Sequence, residues 1–257
     1  MGFKITNIIT SAILVVLLLV SHFFATISWW WFVLLVWGYV SIVFWGCATI
    51  SSGFFFPVLC RANTPERIIA LTFDDGPHPV FTARILDAIQ KEDVQATFFC
   101  IGKNIAGNEP LMKRIKNEGH IIGNHSYSHA FWFDMFGSKR MLEDLQQMDG
   151  EVISSTGQKP VFFRPPYGVI NPNVRRAIKK GGYVPIGWSI RSLDTVAKDK
   201  QKLLSRITGN MKTGDIILLH DSMEMTADIL PELIEEINRK GFKIVSLDKM
   251  LNITAYA

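Results

Sequence analysis

Two adjacent carboxylates, Asp74 and Asp75, close an apolar run and lead into Gly76-Pro77. A carboxylate pair at the C-terminal end of a parallel strand is where α/β folds place their reactive groups. Taken alone, Asp-Asp-Gly-Pro is as well read as a solvated turn. Downstream, His125-Ser126-Tyr127-Ser128-His129 places two imidazoles four residues apart. On a helical turn that spacing puts both on one face, and neutral imidazole is the common nitrogen ligand of zinc and related ions. An isolated pair of this kind is more often two surface histidines. A third histidine follows Leu218-Leu219 as His220-Asp221, and Phe163-Arg164-Pro165-Pro166-Tyr167-Gly168 sets an arginine and a tyrosine around two stiff prolines. By itself, that segment is a rigid loop with an arginine ion pair.

The elements around these residues give them a common address. Short apolar runs suited to buried strands occupy 67–73, 96–101, 120–125, 161–164, 183–188, 215–220 and 242–245, and helical periodicity fills 82–91, 110–118, 138–156, 171–180, 203–212 and 227–240. Gly119, Gly181 and Gly241 sit between a helix and the next strand, where a C-terminal cap belongs. Seven strands alternating with helices predict a parallel α/β fold, either a barrel or an open doubly wound sheet. In either, the carboxyl ends of the strands form the reactive rim. Asp74, Asp75 and Arg164 fall at such ends, and so do three of the six histidines, His125, His129 and His220, whose convergence raises a metal site above the bland readings.

Composition divides the chain. Of 50 charged residues among 257, only Lys4 lies in the first 60, so the rest has the charge density of a globular domain. Residues 1–60 predict a membrane anchor of two helices, about 8–26 and 29–49, turning at Ser21–Ser28 ahead of Trp29, Trp30 and Trp31. A cleaved signal peptide fits less well, because the apolar sequence continues past its usual length, and a buried core hairpin would need more covering chain. The chain is therefore expected to be an integral protein of a bacterial inner membrane, with the lipid bilayer as a partner. Lys4, Arg61 and Arg67 favour placing both ends of the hairpin on the cytoplasmic side; a single charge before the first helix leaves either side open to the catalytic domain. Residues 61–66 read as a polar linker, 61–257 as one domain with a core at about 67–251. A net charge of +4 without basic runs speaks against nucleic acid. Gly102-Lys103 lacks the remainder of a phosphate loop, so no nucleotide is expected. Cys47, Cys60 and Cys100 are too few for a disulfide framework, and Cys100 reads as a small buried apolar residue. His22, His78 and His120 match no ligand role.

In this order and spacing, the segments 72–77, 125–129, 164–167 and 218–221 resemble the NodB-homology polysaccharide deacetylases, carbohydrate esterase family 4. The resemblance covers about 67–251. It implies a distorted (β/α)7-type barrel and a hydrolase that removes acetyl groups, foremost N-acetyl on an amino sugar such as N-acetylglucosamine, in an envelope glycan or lipid-linked saccharide. It also implies one divalent ion on Asp75, His125 and His129, zinc first, with cobalt or nickel also suited to these ligands. By the same resemblance Asp74 is the general base, Arg164 orients it, and His220 is the general acid. The Tyr167 backbone N–H faces the oxyanion, and Leu218 with the Tyr167 ring receives the acetyl methyl. Asp194 is the candidate carboxylate to raise the pKa of His220, and a cation with Arg164 nearby should keep Asp74 ionised. One departure stands out. Where the family commonly has Asp-Ser-x-Asp-Trp, this chain reads Arg191-Ser192-Leu193-Asp194-Thr195, so a pocket wall is missing and Arg191 is free either for a structural ion pair or for an anionic group on the substrate. Two other classes fit parts of the pattern: an iron oxygenase built on two histidines and a carboxylate, and a non-catalytic glycan-binding membrane protein on the same fold.

Overall fold

The structure, a computed structural model, describes residues 2–24 and 27–257. It opens with two apolar helices, α1 (Gly2–Phe23) and α2 (Trp30–Ala48). α1 starts six residues before the expected position 8, because nothing in Gly2–Asn7 opposes a helix. The expected end of the first helix, Ala25 and Thr26, lies outside the described residues. The Tyr39 hydroxyl donates to Asn7 Oδ1 at 3.0 Å and so satisfies the amide between the two helices. No described residue of α1 is buried, and only Gly46 of α2 is, so the rest of this chain does not cover the hairpin.

The hairpin is fastened to the rest of the chain at both open ends. Phe3 N–H donates to Phe54 O and Ile170 N–H donates to Cys47 O, each at 3.1 Å. The Phe54 ring lies against Gly46, where any side chain would collide with it. Phe54, Phe55 and Phe56 continue into an apolar cluster with Met141, Leu145, Phe163 and Ile170.

Beyond this cluster lies one curled parallel sheet. Its strands are β1 (Ile68–Asp74), β2 (Thr97–Cys100), β3 (Ile121–Asn124), β4 (Phe162–Phe163), β5 (Val184–Pro185), β6 (Ile190–Arg191), β7 (Ile216–His220) and β8 (Lys243–Ile244). The order is β5-β4-β3-β2-β1-β7-β6, with β8 pairing the start of β1. Helices α3 (Phe81–Lys91), α4 (Glu109–Asn117), α5 (Ser138–Thr156), α6 (Pro172–Gly181), α7 (Lys200–Thr208) and α8 (Glu224–Arg239) cover the outside, and α9 (Leu247–Leu251) follows β8. Alternate residues of β1 divide the core: Ile69, Leu71 and Phe73 pack outward under α3 and α8, while Ala70 joins Phe99, Phe162, Ile186 and Ile216 within the curl.

The expected α/β barrel is thus a half-barrel, with eight strands where the pattern predicts seven. The expected strand 183–188 is cut short because Arg164 draws its last carbonyls inward: Nη2 donates to Gly187 O at 2.8 Å and Nε to Ile186 O at 3.4 Å. Ile190 and Arg191 then pair with β7 on the far side of a seam. Residues 59–62 fill that seam, so the expected polar linker is partly barrel wall. Leu59 bridges Ile186, Arg61 bridges Asp215, and Ala62 N–H donates to Gly214 O at 2.8 Å.

Asp215 holds the seam from beneath. Fully buried, it accepts from Arg61 Nε (2.7 Å), Ser189 Oγ (2.7 Å) and Lys212 N–H (2.6 Å). Asp215→Ala leaves those donors without an acceptor and should lower the unfolding free energy by about 2–4 kcal/mol. Melts of the detergent-solubilised chain would show this as a clear drop in midpoint. Lys139→Gln, which breaks only the exposed 3.8 Å pair with Glu143, should not move the midpoint. Equal midpoints for all three proteins would mean that the seam does not hold the barrel.

Candidate active site

The sheet register brings the chemistry together. Asp74, last in β1, stands opposite His220, last in β7. The chain then turns through Asp75 at φ 77°, with Asn104 Nδ2 donating to Asp75 O at 2.9 Å. After β3, Asn124 Oδ1 accepts from Ser126 N–H (2.8 Å), and Asp144 on α5 accepts from Tyr127 N–H (2.7 Å). These bonds coil 125–129 so that both imidazoles face Asp75. His125 Nε2 and His129 Nε2 lie 3.6 and 3.5 Å from Asp75 Oδ1, and one ligand atom from each of the three residues falls within 4.8 Å of the others.

This donor set suits a divalent cation. His125 Nδ1–H donates to Arg164 O at 2.8 Å, which leaves the Nε2 lone pair aimed at Asp75. Burial, with His129 beside it, pushes His125 down to about 3, and burial also lowers His129. Both rings are therefore neutral near pH 7, the form that binds metal.

Arg164 has no exposed surface. Its Nη1 donates to Asp74 Oδ1 at 2.6 Å and to Thr72 Oγ1 at 2.9 Å, and its guanidinium stacks 4.1 Å above the Phe99 ring centroid. Asp74 Oδ2 is left 3.8 Å from His125 Nε2. Burial raises Asp74 above the usual carboxylate range and outweighs the opposing pull of Arg164 and His220. Arg164 and His220 act in the direction expected from the sequence, toward the ionised form, and without a cation at Asp75 the desolvation is larger than both.

His220 is held from the other side. Asp194 Oδ1 accepts from His220 Nδ1–H at 2.7 Å, and Oδ2 accepts from His220 N–H (2.7 Å) and Thr226 Oγ1 (2.6 Å). Ser192 Oγ and Thr195 N–H complete the shell at 2.9 and 3.1 Å. Burial would depress His220, but the hydrogen bond and charge of Asp194 overcome it and push the imidazole up to about 9. Asp194 moves down: its own burial opposes the shift, and His220 outweighs it.

All nine residues singled out by sequence come together. Asp74, Asp75, His125, His129, Tyr167, Leu218 and His220 line one cavity of about 280 Å³, with Arg164 and Asp194 directly behind it. Three residues escaped the sequence reading. Trp188 lines the cavity, and its ring fills the space over Gly168. Asp144 holds the 125–129 turn. Asp221, fully buried, accepts from Thr82 Oγ1 at 2.6 Å and packs under Gly76, where a side chain would collide with its carboxylate; burial raises it to about 7. Asp221 adjoins a recognised motif and was within reach, whereas Asp144 lies on an ordinary amphipathic helix and Trp188 in an apolar run.

Comparison with known proteins gives one consistent result. The family model for polysaccharide deacetylase matches residues 61–186. A peptidoglycan-N-acetylglucosamine deacetylase of Bacillus cereus is 34% identical over 194 residues, 72% of this chain and 89% of that protein. The Bacillus subtilis peptidoglycan-N-acetylmuramic acid deacetylase PdaC is 31% identical over 72% of this chain and 39% of its own length. Among solved structures, the Bc1960 peptidoglycan N-acetylglucosamine deacetylase superposes with a TM-score of 0.74 at 29% identity, covering 78% of this chain and 95% of that one. BA3943 of Bacillus anthracis, described as a CE4 family pseudoenzyme, gives 0.70 at 26% identity over 75% of this chain and 68% of its own.

The His220–Asp194 pair has a defined pH window. The raised His220 adds stability that is complete below its unfolded value of about 6.5 and is lost as pH climbs through about 9. The depressed Asp194 adds stability above its unfolded value of about 3.9, lost as pH falls through the lowered one. In metal-free protein, the His220 ring followed by NMR should titrate near 9, and Asp194→Asn should bring it down markedly, since burial is then opposed only by the lesser charges of Asp74 and Asp75. An unchanged titration in the variant would show that Asp194 does not set it.

Proposed function

The chain belongs to the polysaccharide deacetylase family and is a deacetylase hydrolase, and on that premise we propose that it removes N-acetyl groups from an amino sugar, N-acetylglucosamine foremost, in a cell-wall glycan or its lipid-linked precursor. One observation carries the residue roles: three candidate ligands, a buried carboxylate and a protonated imidazole converge on one small cavity. Asp75, His125 and His129 hold one divalent ion, zinc first. When bound, such an ion polarises the acetyl carbonyl and acidifies a water.

The protein's own groups do the rest. Asp74 is fixed through Oδ1 by Arg164, so Oδ2 is the oxygen left to take the proton of the attacking water. The new carbon–oxygen bond forms as the carbonyl becomes tetrahedral, with the Tyr167 backbone N–H directed at its oxygen. His220, protonated and oriented by Asp194, gives its Nε2 proton to the sugar nitrogen as the carbon–nitrogen bond breaks, releasing acetate and a free amine. Leu218, the Tyr167 ring and Trp188 enclose the methyl group. We read α1 and α2 as the anchor that holds this domain at a bacterial inner membrane. Both are long and apolar enough to span, and their apolar surfaces are exposed.

A glycan-binding protein without turnover remains the competing reading, because BA3943 shares the fold and is described as a pseudoenzyme. Acetate release separates the two. With zinc or cobalt, the solubilised chain should release acetate from N-acetylglucosamine oligomers or peptidoglycan fragments, and chelation should stop it. Asp74→Asn should lower the rate by about 10²–10⁴, the usual size of a lost general base. A metal-loaded chain that binds these glycans without turnover would favour the non-catalytic reading.

A further inference from the structure

Arg191 stands where this chain departs from its family's motif, and the structure gives it no ion pair. Among the described residues no carboxylate lies within 4.0 Å of its guanidinium; its backbone pairs with Leu218 of β7, and its carbonyl also accepts from Arg206 Nε at 3.3 Å. The structural ion pair considered from sequence is therefore absent. Instead, exposed Arg191 borders two spaces at once. On one side it lines the 280 Å³ catalytic cavity, beside Leu193, Thr195 and His220. On the other it lines an open groove of about 970 Å³ shared with Lys202, Arg206 and Lys212.

The groove's charge is strongly one-sided. Arg191, Lys202, Arg206 and Lys212 form no ion pair among the described residues. Arg61, also in the lining, is already matched to Asp215. The only carboxylate in the lining, Asp199, is turned to the helix: its Oδ1 accepts from Lys202 N–H at 3.0 Å and caps α7. Ser189, Ser205 and Asn210 add polar groups. Four cations facing a concave surface concentrate an anion there, and a guanidinium at the junction suits phosphate oxygens.

We propose that this groove is a phosphate subsite, and that the preferred substrate is an acetylated amino sugar bearing a phosphate or diphosphate ester next to the sugar under attack. This rests on the deacetylase reading and narrows its substrate to a phosphate-linked saccharide, of the kind carried on membrane lipids, over the finished neutral polymer. Four cations exceed what a single sugar carboxylate needs, whereas a diphosphate engages several. Arg191 bridges the two spaces: it holds the phosphate while the acetamido group of the same sugar lies in the catalytic cavity.

The test uses the full-length, zinc-loaded chain in neutral detergent and compares N-acetylglucosamine 1-phosphate with methyl N-acetylglucosaminide, sugars that differ only at that position. At low ionic strength kcat/KM should favour the phosphate by about tenfold or more, the scale of a charge-assisted contact. The preference should shrink with added salt and approach one in Arg191→Gln, with Lys202→Gln giving a partial loss. Calorimetric binding of N-acetylglucosamine 1-phosphate should weaken in parallel, a readout that does not depend on turnover. The proposal falls if the wild type shows no preference. It also falls if the preference survives both substitutions, or if N-acetylmuramic acid, with its carboxylate, gains more from Arg191 than the phosphate does. If neither sugar is deacetylated yet binding still depends on Arg191, the subsite stands and the deacetylase reading is what fails.

Discussion

The guanidinium of Arg164, sealed from solvent against Asp74, fixes more of this protein than any other single group. Taking both charges out of water is costly, and their 2.6 Å contact offsets that cost only because the other donors of Arg164 also find acceptors. Those acceptors are Thr72 on β1 and the Ile186 and Gly187 carbonyls that end the β5 run. The carbonyl of the same residue accepts from His125 Nδ1–H, and its N–H donates to Asn124 O. One residue thereby orients a carboxylate oxygen, selects a ligand tautomer and splits a strand. Replacing Arg164 by lysine would keep the charge and lose the fork that makes these connections at once.

Around this pair the backbone is bent in ways ordinary residues resist. Asp75, Ser126, His129, Tyr167 and Leu193 all have positive φ, and they cluster at the cavity or beside its histidines. Left-handed backbone at non-glycine residues costs free energy and persists only where the surroundings enforce it. The enforcing contacts are identifiable: Asp144 and Asn124 hold the histidine turn, Asp221 fits beneath Gly76, and Trp188 lies over Gly168. β1, with Ile69 to Phe73 fully buried, is the rigid member on which these turns are built.

The same contacts explain what the sequence could and could not reveal. Strand ends carrying Asp-Asp, His-x-x-x-His and His-Asp were readable because residue type and local spacing encode them, and Arg164 and Tyr167 were marked by the prolines between them. The elevation of Asp74 was not readable, since it depends on how completely the folded chain excludes water. Nor was the division of the 183–188 run, which requires an arginine about 20 residues earlier to reach its carbonyls. Arg61 and Ala62 looked like linker because their partners in the wall, Asp215 and Gly214, are far away in sequence. Arg191 stood out by type alone; that it lacks a counter-charge could be learned only from its neighbours.

The hairpin closes the physical argument. A catalytic domain on a loose tether would sweep a broad volume above a membrane, and 13 residues from Ala48 to Arg61 would allow a reach of about 45 Å if extended. This chain gives up that freedom. Phe3 and Cys47, at opposite ends of the hairpin, are hydrogen-bonded to Phe54 and Ile170, and the intervening aromatics are buried against α5 and α6. Ile170 lies three residues past Tyr167, so the cavity wall and the end of α2 belong to one packed unit. With α1 and α2 in a bilayer, the height of the cavity above it is fixed by packing rather than by tether length. Held in this way, the cavity would meet only what comes within a fixed distance of the surface, as the proposed phosphate-linked saccharides would.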